Sequence, residues 1–161
     1  MKVLFASDHA GFDLKEKLIS YVSELGYEVE DKGAHSYDES DDYPDFVAPV
    51  AEEVSKNPES VRGIVLGGSG QGEAIVANRS PNVRAVVYIK PAVLEGGEGG
   101  ERKDDIIKLS REHNDSNILS LGARFLTERQ AKDAVKLWLK TPFTEEERHK
   151  RRIGKIEKSL R

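Results

Sequence analysis

The 161-residue chain contains no cysteine, which excludes a disulfide scaffold, a thiol nucleophile and any cysteine-ligated zinc or iron–sulfur centre. It also lacks a long apolar run. The opening segment MKVLFASDHAGF carries one lysine and only a short hydrophobic stretch before Asp8, too brief for the core of a secretion signal and far short of the ~20 apolar residues of a membrane span. A basic balance is missing as well. The formal net charge is −4, whereas a nucleic-acid-binding domain usually presents a basic surface. No internal repeat is visible. These absences predict a cytoplasmic protein with neither nucleic acid nor membrane as partner, folded as one domain over residues 1–161, because a chain of about 100–200 residues suits a single core. Charged residues make up 34% of the chain against a typical ~25%, so much of the surface is solvated charge.

What the sequence does contain is an alternation of two periodicities. Short runs rich in β-branched residues occur at KVLFAS (2–7), YEVED (27–31), RGIVLG (62–67), VRAVVYI (83–89) and NILSLG (117–122), with amphipathic stretches between them. Leu14, Leu18, Val22 and Leu25 recur at helical spacing, and Gly26 stands where a helix-ending glycine belongs. Pro44 suits the first turn of a second helix, while Pro49 removes a later donor and should kink or shorten it. Thr127 with Gln130, and Thr144 with Glu147, both have capping-box spacing, the second ahead of a basic C-terminal helix. Repeated β-α-β units with right-handed crossovers predict a doubly wound, five-stranded parallel α/β sheet, a Rossmann- or flavodoxin-like α/β/α sandwich with a C-terminal helix. Ligands then bind beyond the carboxyl ends of the strands. The Gly-rich segment at 94–105 reads as a mobile loop.

The third run ends in Gly67-Gly68-Ser69-Gly70-Gln71-Gly72-Glu73. A loop with so little side-chain bulk lets several main-chain N–H groups converge on an anion before the next helix starts. It is not a nucleotide P-loop, because Glu73 and Ala74 stand where Lys and Ser/Thr are required. It is not a dinucleotide fingerprint either, since Glu73 or Ile75 falls on the third glycine position. A carboxylate beside an anion nest suits enolisation: Glu73 takes a proton from carbon while N–H groups hold the enediolate oxygen. Taken alone, Glu73 equally suits the positive end of a helix dipole. Asp8 and His9, after the first strand, are candidates for holding sugar hydroxyls and a phosphate, or for capping a helix. Arg148 and Arg152 share a helix face at i and i+4, where two guanidinium forks can grip a phosphate or simply remain solvated. His113, Asn114 and Arg124 have the plain alternatives of a boundary histidine and surface polar groups. The acidic run Asp38, Glu39, Asp41 and Asp42 lacks the glycine of a calcium loop and reads as a solvated loop, with no metal site.

Six segments in this order, SDHAGF (7–12), DDYPDF (41–46), GGSGQGE (67–73) with Ala77-Asn78, SREHND (110–115), GAR (122–124) and RHKRR (148–152), closely resemble the ribose-5-phosphate isomerase B family. The resemblance implies a homodimer with active sites shared between subunits, a sugar-phosphate substrate, and no metal or cofactor. One branch of that family carries a cysteine base before the glycine loop and the other a glutamate after it. Gly67 stands at the cysteine position and Glu73 at the glutamate position. The family roles then fall on Glu73 as proton carrier and His113 as ring-opening acid. Gly68, Ser69, Gly70, Gln71 and Gly72 become the anion hole, with Asp8 and Asn114 on the sugar and His9, Arg124, Arg148 and Arg152 on the phosphate. Residues 95–105 look like an insertion relative to the family. Related substrates (allose, galactose or tetrose phosphates) and a non-catalytic sugar-phosphate sensor are the competing expectations.

Overall fold

The computed structural model describes residues 1–89 and 105–159; the expected loop and insertion at 94–105 lie outside them but for Asp105. The elements run β1 (Lys2–Ser7), α1 (Phe12–Glu24), β2 (Glu28–Asp31), α2 (Tyr43–Lys56), β3 (Val61–Gly67), α3 (Gln71–Ala77), β4 (Ala85–Tyr88), α4 (Ile106–Glu112), β5 (Ile118–Gly122), a 3₁₀ turn (Ala123–Phe125), α5 (Glu128–Lys140) and α6 (Glu147–Ser159). Among the described residues every strand pairing is parallel, and the sheet order is β2-β1-β3-β5-β4. β5 therefore takes the place beside β3, and β4 lies at the edge. Burial explains this order: every residue of β5 is buried, whereas those of β4 are half-buried, and only a strand covered on both faces gains from a central position.

Successive residues of a strand face opposite sides of the sheet, and the core splits accordingly. Val3 and Phe5 of β1, Ile64 and Leu66 of β3, and Leu119 and Leu121 of β5 pack under α1, α4 and α5. Leu4, Ala6, Val65 and Ile118 pack under α2 and α3. Trp138 of α5 is fully buried, and its indole Nε1–H donates to Ser116 Oγ at 2.8 Å, which removes the penalty of burying that donor.

Helix punctuation follows the sequence in part. After α1, Gly26 N–H bonds the Ser23 carbonyl and Tyr27 N–H the Val22 carbonyl, the paired bonds of a Schellman ending. Thr127 and Gln130 form the expected capping box. The second one does not form: the Thr144 hydroxyl donates to the Glu112 carbonyl at 2.7 Å instead, and α6 begins at Glu147. Nor does Pro49 shorten α2, which continues to Lys56. Pro49 removes the one N–H that would reach the Asp45 carbonyl, but both residues are exposed, so the lost bond does not strand a buried acceptor.

Candidate active site

Because β1, β3 and β5 are adjacent and parallel, the segments that follow them meet at one end of the sheet. There Asp8, His9, Gly68, Ser69, Gly72, Glu73 and Arg124 line a cleft of about 500 Å³, joined by Ala10, Tyr43 and Phe125. The glycine loop is tied to the sheet from below. Ser120, a polar residue on the buried strand β5, donates to the Gly70 carbonyl at 2.6 Å. Gly70 has φ +75°, a left-handed conformation that a side chain would resist. The turn it makes leaves only three residues between the end of β3 and the start of α3.

Glu73, in the first turn of α3, is only 4% exposed. Its carboxylate folds back over the end of β3. A Cβ on Gly67 would fall 1.6 Å from Glu73 Oε1 and 2.2 Å from Cδ. The carboxylate thus occupies the space a side chain at 67 would fill, so the glutamate after the loop and a residue-67 side chain before it compete for one position. Burial pushes the Glu73 carboxyl above its ordinary value, and the Asp8 carboxylate adds to this, against one hydrogen bond from its own main-chain N–H. An acid that merely complemented a helix dipole would be held in its charged form, with its pKa lowered. Glu73 is displaced in the other direction.

Asp8 has two faces. Its Oδ1 accepts the N–H groups of Ala10 and Gly11 at 3.0 and 3.3 Å, capping the approach to α1, and the residue also forms part of the cleft wall. Arg124 lies over the loop: a Cβ on Gly68 would meet its guanidinium at 3.3 to 3.5 Å, and its main-chain N–H bonds the Gly68 carbonyl. Tyr43 fills the opposite wall, with its ring atoms 2.7 Å from where a Gly72 Cβ would stand.

The acidic run at 38–42 is not uniformly a solvated loop. Asp41 turns inward, its side chain 8% exposed, and Oδ1 accepts both the main-chain N–H of His9 at 3.0 Å and its ring Nδ1 at 2.7 Å. That hydrogen bond is the main reason the His9 imidazole is held above its ordinary pKa; burial opposes it, Asp8 adds to it and Arg124 weakens it. Asp8, His9 and Asp41 bring potential ligand atoms within 4.8 Å of one another, but the tightest contact in the group joins two of its own members. Asp41 and Tyr43 carry no spacing signal in the sequence; only their place in the DDYPDF segment marks them.

The remaining expected site residues fall into two groups. Gly70 and Gln71 belong to the loop without lining the cleft: Gly70 is buried beneath it, and Gln71 is exposed, its N–H directed to Ser69 Oγ. His113, Asn114, Arg148 and Arg152 lie outside this cleft. The His113 ring stacks on His149 of α6, centroids 4.3 Å apart and 11° from parallel. Arg148 and Arg152 lie close enough to help depress the His149 pKa, after burial and His113. Arg148 also pairs with Glu146. Asn114 is exposed beside a small hollow under Val86, Val87 and Ile107. Among the described residues, the lone chain thus presents two clusters, a cleft with the acid and a patch with two stacked histidines and two arginines.

A family model described as Ribose/Galactose Isomerase matches residues 3–96 and 101–156. Ribose-5-phosphate isomerase B of Mycolicibacterium paratuberculosis is 38% identical over 153 residues, covering 95% of this chain and 87% of that protein. The crystal structure of ribose-5-phosphate isomerase B from Mycoplasma genitalium with bound ribulose-5-phosphate superposes with TM-score 0.85 at 33% identity, covering 98% of this chain and 95% of the other. The Clostridium thermocellum ribose-5-phosphate isomerase B structure gives 0.84 at 42% identity, over 99% and 97%. On the matched family model and these near full-length identities, the chain belongs to the Ribose/Galactose Isomerase family.

Proposed function

We propose that this chain is an aldose–ketose isomerase that interconverts ribose 5-phosphate and ribulose 5-phosphate, acting as a single domain over residues 1–161. The observation that carries the reading is the buried Glu73 carboxylate, folded over Gly67 at the head of an anion-binding loop and displaced toward a higher pKa. A carboxylate of raised pKa takes a proton from carbon more readily than an ordinary surface carboxylate. In the open-chain aldose, Glu73 removes the proton on C2 as the C1 carbonyl oxygen gains negative charge, then returns it to C1 while the C2 hydroxyl gives its proton to the C1 oxygen, so that C2 becomes the ketone and C1 carries the hydroxyl. Main-chain N–H groups of Gly68, Ser69 and Gly72, the loop residues that line the cleft, stabilise the enediolate oxygen, where one such donor is worth about 10²–10³ in rate. Asp8 holds sugar hydroxyls, and His9 and Arg124 the phosphate.

The second cluster completes the site from a partner. His113 as the acid that opens the furanose ring, Asn114 on the sugar, and Arg148 and Arg152 on the phosphate would enter the cleft of the other subunit of a two-fold dimer, since an isologous interface uses each patch twice. The test is a panel of four-, five- and six-carbon aldose phosphates, followed by ketose formation. Turnover highest with ribose 5-phosphate supports the proposal. Preference for a hexose or tetrose phosphate moves the substrate, and absence of turnover with all of them overturns the reaction class.

A further inference from the structure

Of the acids at 38, 39, 41 and 42, Asp41 alone turns its side chain into the protein. Its Oδ1 serves two N–H groups of a single residue, His9, which lies 32 positions away in sequence. Its Oδ2 is buried and has no hydrogen-bond partner among the described residues. A carboxylate this far removed from water is costly unless a cation stands against it, and the His9 ring at 2.7 Å is that cation when protonated. With Nδ1 committed to Asp41, only Nε2 is left to the cleft. In a neutral ring of this tautomer Nε2 is a lone pair that repels an anion, whereas in the imidazolium it is a donor. The Tyr37 ring stands edge-on to the imidazole, with centroids 6.3 Å apart. The charged groups around His9 are Asp8 and Asp41, which favour the cation, Arg124, which opposes it, and Asp38, which the cation itself stabilises.

We propose that Asp41 is a positioning residue that holds His9 as an imidazolium with Nε2–H offered to the phosphate of the substrate. The proposal rests on the sugar-phosphate reading of the cleft. It makes substrate affinity pH-dependent from the protein side: the Michaelis constant rises as pH climbs through the His9 titration, because the lost proton is the one that binds the phosphate. The plainer role for Asp41 is a loop staple acting through the His9 main-chain N–H, and Asp41→Asn separates the two because the amide keeps an oxygen for that bond while losing the charge.

Two measurements on the full-length protein decide it. The first is the imidazole titration of His9 by NMR, its resonance identified by loss in His9→Asn, with and without added inorganic phosphate. In Asp41→Asn the His9 midpoint falls and phosphate is bound about tenfold more weakly, the low end of what a lost charge-assisted hydrogen bond costs. The second is steady-state kinetics on ribose 5-phosphate near neutral pH. KM rises about tenfold with a much smaller change in kcat, as expected for a contact made equally in ground and transition states, and in a His9→Asn background the same substitution leaves KM unmoved. An unchanged His9 midpoint in Asp41→Asn overturns the proposal, and so does a KM increase as large in the His9→Asn background as in the parent. If the parent protein turned over no sugar phosphate, the proposed reaction would fall, while the His9 midpoint and its phosphate response would still decide the role of Asp41.

Discussion

Gly67→Ala adds one methyl group to a residue with no side chain of its own, and it is expected to disable the enzyme without unfolding it. The new Cβ would stand 1.6 Å from Glu73 Oε1 and 2.2 Å from Cδ. To regain the 3.4 Å of ordinary contact, Oε1 must retreat by roughly 1.8 Å, and a misplacement of about 1 Å costs on the order of 10²-fold in rate. The obstacle is the far end of a flexible side chain rather than main chain, and Gly67 does not have a positive φ, so alanine fits the backbone and the carboxylate yields. The expected result is a kcat lowered by at least about 10² with KM near that of the parent, because the phosphate contacts are untouched. Initial rates of ketose formation from ribose 5-phosphate, with a melting curve to confirm folding, measure it. The double variant Gly67→Ala, Glu73→Gln should be no slower than Glu73→Gln alone, since both lesions remove the same base. A Gly67→Ala enzyme with kcat within a few-fold of the parent would refute the reasoning, for it would mean that the carboxylate position at Gly67 is not the reactive one.

Glu73→Gln alone should lower turnover by about 10²–10⁴ while sparing sugar-phosphate binding, and retention of more than a tenth of parent turnover would contradict the role of the base. The same variant should melt higher than the parent at neutral pH. The folded pKa of Glu73 is raised, so ionisation costs stability as pH climbs through it, and the gap should close as pH falls below the ordinary 4.5; a gap that widened on acidification would reverse the sign. Mixing Glu73→Gln with His113→Ala chains and allowing subunit exchange should restore about a quarter of parent activity, because about half the dimers are mixed and half their pockets intact. Verified mixed dimers no more active than the mean of the parents would show that the two residues do not meet across an interface. Ser116→Ala leaves the Trp138 indole N–H buried without its 2.8 Å acceptor and should cost about 1–3 kcal/mol, read as a lower urea midpoint at unchanged slope; an unmoved midpoint would show that a water replaces the hydroxyl.

The elements and their sense were legible in the chain because each depends on residues close together in sequence. The five strand runs, the Gly26 ending of α1 and the Thr127 cap all appear where local periodicity and capping chemistry put them. Thr144 shows where that logic stops: the spacing for a cap is present, but a carbonyl 32 residues away claims the hydroxyl. The site divided along the same line. Glu73, Asp8 and His9 were readable as candidates because the ends of the first and third strands of a parallel sheet converge, whereas Arg124, which alone reads as a surface charge, was marked only by the family resemblance. What no local pattern contains is the placement of the sheet order with β5 beside β3, the turning of Asp41 inward to His9, and the folding of the Glu73 carboxylate into the space vacated at Gly67. Composition and periodicity determined a parallel α/β protein with a glycine loop and an acid after its third strand. Only the tertiary structure decided which acid is buried, because burial and hydrogen bonding between residues far apart in sequence raise the pKa of Glu73 and of His9, and those contacts exist only once the sheet has assembled.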